Sequence, residues 1–326
     1  MPRSITIRAP SRLHFGLFAL AGASGRRFGG VGAMLRQPGL QLHIEPARTW
    51  NNTGPLAERI ATAADRWRQF HGLATLPQCR IAVEHAPPEH VGLGLGTQLA
   101  LGVAAGLSAF CGLPASAPQE LAQSVGRGRR SAIGTYGFAL GGLLVEQGKL
   151  PGEPISPLDT RLDLPADWRF VLVRPSEVRG LSGEIENAAM DRITVSLEAT
   201  ATLIREVRVH LVPAAATADF GSFAGSLFRY SALAGSFYAE HQGGLYNGPV
   251  LTALVERIRG WGHSGIGQSS WGPTLFVAQP SERSAHELVE RLRGEWDGPP
   301  LDLVVAEPDN QGAVIESSDR ESAARD

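Results

Sequence analysis

Cysteine, methionine and long apolar runs are scarce in this chain. Cys79 and Cys111 are the only cysteines among 326 residues and stand far apart. A disulfide framework is therefore excluded, and the pair has neither a metal-ligand nor a redox spacing. A reducing compartment is the expectation. The N-terminus, Met-Pro-Arg-Ser-Ile-Thr-Ile-Arg, holds no apolar stretch of signal-peptide length. Nowhere do about 18 apolar residues follow one another, so no transmembrane helix is expected, and the chain reads as soluble and cytoplasmic. The nine histidines are too scattered to suggest a metal cluster. Charge of one sign is missing as well. Thirty basic against 32 acidic residues leave a net charge of −2, which gives no support to a nucleic-acid or membrane-surface role.

Glycine, by contrast, is plentiful. Its 39 residues fall largely in short clusters, as tight turns or ligand cradles require. With 43% hydrophobic and 19% charged residues, a packed core is feasible and global disorder is not expected.

Alternation predicts strands at 4–8, 12–18, 41–45 and 80–85, with a break at Ala9-Pro10-Ser11 and a glycine- and arginine-rich loop over 22–32. A helix is expected from Asn52 or Thr53 to Phe70, another from the Gly92–Gly96 turn to Phe110, and a third near Pro118. Residues 126–137 read as a glycine- and arginine-rich turn with a short helix, and 141–146 as a strand. Four prolines make 147–165 the best linker. Beyond it, strands at 169–174, 274–278 and 301–306 alternate with helices at 183–210, 219–241, 249–259 and 281–293. No long βαβ alternation occurs, which favours two α+β domains, residues 1–150 and 166–307, followed by a flexible tail over 308–326.

The strongest chemical signal is Pro88-Glu-His-Val-Gly-Leu-Gly-Leu-Gly-Thr-Gln. Gly92, Gly94 and Gly96 let the backbone turn tightly, and the helix beginning near Thr97 and Gln98 points its unpaired N–H groups and positive dipole end at the turn. Phosphate binds well in such a place; a strand-to-helix turn without a ligand would look the same. Gly102 and Gly106 share a helix face and would admit a close neighbour. Arg127, Arg129 and Arg130 could supply positive charge, or form a solvated turn. Arg12 and His14 alternate on a strand and share one face, so they could reach one ligand or be structural. Arg26 and Arg27 are a second anion candidate. Trp271, beside Ser269 and Ser270, could stack on an aromatic substrate or sit in the core. Trp50, Trp67, Trp168, Trp261 and Trp296 read as ordinary core or surface residues. No carboxylate pair stands out for a metal; Glu84, Glu89 and Glu146 are unranked.

The run Pro88–Gly96 resembles the phosphate loop of the GHMP kinases, and Gly265-Ile-Gly-Gln-Ser-Ser-Trp-Gly-Pro-Thr resembles their C-terminal glycine loop. The likeness is closer to β-ribofuranosylaminobenzene 5′-phosphate synthases. It is carried by Arg12-Leu-His-Phe-Gly-Leu, His90-Val-Gly-Leu-Gly-Leu-Gly-Thr-Gln-Leu, Gly126-Arg-Gly-Arg-Arg-Ser-Ala-Ile-Gly-Thr and Gly267-Gln-Ser-Ser-Trp-Gly-Pro-Thr. The resemblance implies the α+β GHMP-kinase fold: an N-terminal domain like that of ribosomal protein S5 and a C-terminal ferredoxin-like α/β sandwich. It implies transfer from phosphoribosyl pyrophosphate to a 4-hydroxy- or 4-aminobenzoate with loss of CO2 and pyrophosphate. Mg2+ and no organic cofactor are implied, and members of the superfamily are often dimers. Carried onto this chain, it suggests catalytic roles for Arg12, His14, Arg129 and Ser131. Gly92, Gly94, Gly96, Thr97, Gln98, Arg127, Arg130 and Thr135 would hold phosphate. Gly267, Gln268, Ser269, Ser270 and Trp271 would hold the other substrate.

Two departures matter. Kinases of the superfamily carry Ser-Gly-x-Asp seven residues before a Gly-Gly pair; here Ser131-Ala-Ile-Gly134 precedes Gly141-Gly142. Gly134 replaces the carboxylate that activates the attacking hydroxyl, which argues against the alternative of an ATP-dependent small-molecule kinase. Leu95 stands where a serine hydroxyl usually meets phosphate or Mg2+, the best support for a third reading, a non-catalytic binder of phosphorylated metabolites.

Overall fold

A computed structural model describes residues 3–19, 25–178, 193 and 195–319. In chain order they form β1 (Arg3–Ala19), β2 (Phe28–Pro46), β3 (Asn51–Thr53), α1 (Ala57–Phe70), β4 (Cys79–His85), α2 (Leu95–Phe110), α3 (Pro118–Ser124), α4 (Ile133–Leu140), β5 (Leu143–Glu146), β6 (Leu158–Leu162) and β7 (Arg169–Pro175). Helix α5 (Leu197–Arg205) runs through a π-helical stretch (Glu206–Leu211) into α6 (Val212–Ala216). There follow α7 (Phe220–Ser236), α8 (Ala239–Gln242), α9 (Gly248–Gly260), β8 (Ile266–Gln268), β9 (Leu275–Gln279), α10 (Glu282–Glu295), β10 (Leu301–Ala306) and β11 (Val314–Asp319).

Two sheets result. The larger has the order β11-β1-β2-β4-β3, with β5 paired to β2 and β6 to β5. The smaller is antiparallel, β10-β7-β9-β8. Helix α2 lies close on the larger sheet: a Cβ at Gly106 would press on Ile7 and Ile44, and one at Gly102 on Leu42. These glycines therefore serve helix packing. Burial of Ile7, Leu42, Trp67, Leu101 and Leu107 builds the first core, each such side chain contributing about 1.5–3 kcal/mol. A second core joins the two sheets through Leu13, Phe15, Phe170, Phe223, Tyr230 and Phe276. A third lies between the smaller sheet and helices α9 and α10.

The break at Pro10 does not divide two strands. β1 continues through it with a register irregularity between Ala9 and Ser11. Ile5, Ile7 and Ala9 face the helical core before it, whereas Leu13 and Phe15 face the second core after it. The alternation has changed sides, so Arg12 and His14 come out on the helix side of the sheet, where α2 begins. This irregularity positions the site.

Other expectations need correction. The glycine-rich loop shortens, because β2 already starts at Phe28; residues 20–24 lie outside the described ones. The linker over 147–165 contains β6, which pairs with β5; its five residues fit between Pro157 and Pro165. Within the tail expected over 308–326, Val314–Asp319 form strand β11, paired antiparallel with β1; residues 320–326 lie outside the described ones. The polar side chains of β11 are mostly exposed, so backbone hydrogen bonds hold it, together with Arg8–Glu316 at 2.8 Å and Ser4–Ser318 at 2.7 Å. Composition therefore gives no sign of it. The helix expected over 183–210 falls partly outside the described residues; its described part begins at Leu197, capped by Ser196.

Candidate active site

Helix α2 opens on Gly94, which has φ 74° and supplies no side-chain cap. A Cβ at Gly94 would lie 3.0 Å from the Arg12 side chain, and one at Gly96 would lie 3.2 Å from a terminal nitrogen of Arg59 and 3.6 Å from one of Arg127. The positive end of the helix dipole thus faces three guanidinium groups. Leu95 is buried in the first core, so it points inward and does not fill the helix mouth.

Beside this mouth lies a cavity of about 490 Å³. One wall is cationic: Arg12, Arg66, Arg127, Arg129 and Arg130, with Thr97 and the backbone of Gly126–Gly128. The Arg127 side chain is held below its ordinary pKa by burial and by Arg66, Arg59 and Arg129, and its buried Nε has no hydrogen-bond partner. The lining also includes Tyr238 and Leu245, with the buried Trp271 and Tyr246; the rings of Tyr238 and Trp271 meet edge to face at 4.6 Å. His14 and Ser131 line the same cavity, the His14 Nε2 3.1 Å from the Ser131 hydroxyl.

Of the residues singled out in the sequence, Arg12, His14, Thr97, Arg127, Arg129, Arg130, Ser131, Gln268, Ser270 and Trp271 come together on this cavity. The others have different surroundings. Gly92 packs its backbone against the carbonyl oxygens of Ser269 and Gly272. The Gln98 amide donates to Gly134 O at 2.9 Å. Thr135 is buried in the first turn of α4. A Cβ at Gly267 would meet Phe276 and Ser231. The Ser269 hydroxyl accepts from the His14 N–H at 3.0 Å and donates to Gly92 O at 2.8 Å. Gln268 reaches the cavity, yet its side chain accepts from Asn247 N–H at 2.7 Å and donates to Gln242 and to Ser270 O at 3.1 Å. Arg26 turns away to Glu153 at 3.0 Å, and Arg27 lies over Phe28. Glu84 accepts from Gln41, and Glu89 pairs with Arg59 at 2.8 Å.

The site also gathers residues to which no sequence motif gives a role: Arg59, Arg66, Tyr238 and Glu146. Arg59 and Arg66 are seven apart on α1, two turns on one face, a spacing that carries meaning only once α1 is known to flank the loop holding Arg127. Glu146 ends β5 fully buried and accepts from the Ala132 N–H at 2.7 Å. Burial pushes its carboxyl up to about 7, against the lowering influence of Ser131, the Ala132 N–H, Ser156 and Arg12. His14 is held well below its ordinary value by burial and by Arg12, and is therefore neutral near pH 7. Among the described residues no group of three His, Cys, Asp or Glu could hold a metal. The cavity is lined by cations, and this donor set does not fit a resident divalent ion.

Residues 56–142 match the family model described as GHMP kinases N terminal domain. The fold is shared with mevalonate-3-kinase from Thermoplasma acidophilum, at a TM-score of 0.68 and 12% identity over 97% of this chain and 99% of that one. It is shared equally with phosphomevalonate kinase from Streptococcus pneumoniae, at a TM-score of 0.68 and 14% identity over 94% and 99%. The fold is thus that of the GHMP kinases. In sequence the chain is 31% identical to the β-ribofuranosylphenol 5′-phosphate synthase of Archaeoglobus fulgidus, over 96% of this chain and 99% of that protein. It is 30% identical to the synthase of the same name from Methanothermobacter thermautotrophicus, over 95% and 98%. The chain belongs to the β-ribofuranosylphenol 5′-phosphate synthase family, and is a transferase on a fold that also carries kinases.

Proposed function

We propose that the chain joins phosphoribosyl pyrophosphate to 4-hydroxybenzoate, or to 4-aminobenzoate, with loss of CO2 and pyrophosphate. The observation that carries this reading is a single cavity lined both by guanidinium groups and by aromatic side chains. A polyphosphate suits the first and a flat aromatic acid the second. The relatives' names, which specify a ribofuranosylphenol, favour the hydroxybenzoate.

The C1–O bond to pyrophosphate breaks, leaving positive character on the ribose ring. The ring carbon bearing the carboxylate, made electron-rich by the para hydroxyl, forms the new C–C bond. The bond to the carboxyl carbon then breaks, its electron pair restores aromaticity, and CO2 departs. Arg127, Arg129 and Arg130 stabilise the departing pyrophosphate, with the α2 mouth beside them. Arg12 and His14 line the same cavity and would stand near C1. Mg2+ enters with the pyrophosphate as its counterion. A kinase reading finds less support, because a side chain at Gly134 would press on Thr97, its Cβ 3.2 Å from the Thr97 methyl, leaving little room for a catalytic carboxylate.

Incubation with phosphoribosyl pyrophosphate, Mg2+ and carboxyl-labelled 4-hydroxybenzoate tests the proposal. Labelled CO2 and pyrophosphate should appear in equal amounts. ADP formed from ATP without CO2 would point to a kinase, and binding without turnover to a non-catalytic role; either result overturns the proposal.

A further inference from the structure

The Ser131 hydroxyl stands between two buried titratable groups. On one side is His14 Nε2 at 3.1 Å. The Glu146 carboxyl is held beside the next residue by the Ala132 N–H at 2.7 Å, and the Ser131 and Ser156 hydroxyls favour its charged form. Glu146 Oε2 is taken by the Ala132 N–H, while Oε1 has no partner in hydrogen-bond geometry as the hydroxyls now lie. A buried carboxylate oxygen left unpaired is costly, and either a rotation of Ser131 or a proton on the carboxyl removes that cost.

A hydroxyl has one proton to give. When Glu146 is ionised, Ser131 donates to it, and the Ser131 oxygen then accepts from His14 Nε2–H; Nδ1 is left bare, an acceptor. When Glu146 is protonated, it donates to the Ser131 oxygen, and Ser131 donates to a bare Nε2; the ring proton then sits on Nδ1, a donor. Because Nε2 is engaged, Nδ1 is the nitrogen available to a ligand in the cavity that His14 lines. We propose that Glu146 is a positioning residue: through Ser131 it decides which nitrogen of His14 carries the proton, and so whether the ring offers the cavity an acceptor or a donor.

Other groups face Glu146. Arg12, beside His14 on β1, favours its ionised form. Tyr136 on α4 and Tyr230 on α7 also feel its charge, and burial raises both phenols above their ordinary value, so they stay neutral in the range concerned. Across a smaller cavity lie Arg26 and Arg208, already paired with Glu153 and Asp159. His14 itself stays neutral near pH 7, so the two states differ in tautomer rather than in ring charge.

The proposal concerns the unliganded chain, and its failure leaves the proposed transfer reaction untouched. The test is 15N NMR of histidine-labelled protein from about pH 6 to about pH 8.5, comparing wild type with Glu146→Gln and Ser131→Ala. A glutamine can keep the Ala132 contact and donate permanently to Ser131, so Glu146→Gln should hold His14 as the Nδ1–H form at every pH. In wild type the protonated and bare nitrogen signals of His14 should exchange places as pH rises through about 7. Ser131→Ala should break the link and abolish that exchange without altering the fold. A wild-type tautomer that does not change with pH, or a Glu146→Gln profile equal to that of wild type, overturns the proposal. Should Glu146→Gln fail to fold, the Ser131→Ala comparison decides alone: an exchange that survives the loss of the hydroxyl overturns it.

Discussion

The Ser269 hydroxyl donates to the carbonyl oxygen of Gly92 at 2.8 Å, 177 positions away in sequence. Because the hydroxyl oxygen also accepts from the His14 N–H at 3.0 Å, one buried side chain fastens the C-terminal glycine loop to the phosphate loop and to β1. Ser269→Ala leaves a buried donor and a buried acceptor without a partner. The expected cost is about 1–3 kcal/mol of stability, read as a lower urea midpoint with unchanged m-value. An unaltered midpoint would mean that the clamp adds nothing to stability.

Arg127 stands on the cationic wall with a buried Nε that no hydrogen bond reaches. Arg127→Gln keeps hydrogen-bonding capacity and removes the charge. It should weaken pyrophosphate and phosphoribosyl pyrophosphate by the worth of a charged hydrogen bond, about 1.5–3 kcal/mol or roughly 10- to 150-fold, and leave 4-hydroxybenzoate within about twofold. Arg129→Ala should act in the same direction and less strongly, because Arg129 is exposed. Titration calorimetry with each ligand checks this; equal losses for both ligand types would refute the division of the cavity.

Tyr238 meets Trp271 edge to face at 4.6 Å in the lining of the same cavity. Tyr238→Ala should raise KM for the benzoate by about fivefold or more, in line with about 1 kcal/mol for an aromatic pair, while KM for phosphoribosyl pyrophosphate stays put. Steady-state kinetics with each substrate varied in turn gives the answer, and a change confined to phosphoribosyl pyrophosphate would reverse the assignment.

Glu146 makes stability depend on pH. Its carboxyl is raised from an ordinary value of 4.5 to about 7. Between those limits the folded chain keeps a proton that the unfolded chain has released. This contribution is therefore fully present below about 4.5, lost as pH rises through about 7, and flat above it. Its size is on the order of 3 kcal/mol. His14, with a lowered pKa, acts in the opposite sense below about 6.5, and a comparison of two proteins over one pH range cancels it. Urea unfolding from about pH 5 to about pH 8 should thus show a shallower decline in Glu146→Gln than in wild type. Parallel curves would mean that the carboxyl is not held protonated by the fold.

Much of the site is legible in the amino-acid sequence, because it is built from short contiguous segments. Gly92–Gly96, the Arg127–Arg130 turn and the Ser269–Trp271 loop each lie within a few residues. Alternation alone puts Arg12 and His14 on one face. What escapes is contributed from a distance. Glu146 closes an apolar strand, Leu143–Glu146, where a terminal acid ordinarily meets solvent. Arg59 and Arg66 resemble any charged face of an amphipathic helix. Tyr238 follows a helix with no motif around it. Over 314–319 the expectation of a flexible tail gives way for a related reason: β11 is held by hydrogen bonds along its backbone, and the backbone leaves no trace in composition.

The linear order of residues determined the glycine turns, the helix that starts at the phosphate loop, the alternation that pairs Arg12 with His14, and the absence of a carboxylate at Gly134. These depend on short-range sterics and on the period of the chain. Only the tertiary structure decided which side of the sheet Arg12 and His14 occupy, because one irregularity at Pro10 reverses the alternation. It also decided that a buried acid stands close to Ser131 and that guanidinium and aromatic side chains line a single cavity. Those relations come from packing two cores against one another, and dense packing joins residues more than a hundred positions apart according to shape and charge rather than sequence order.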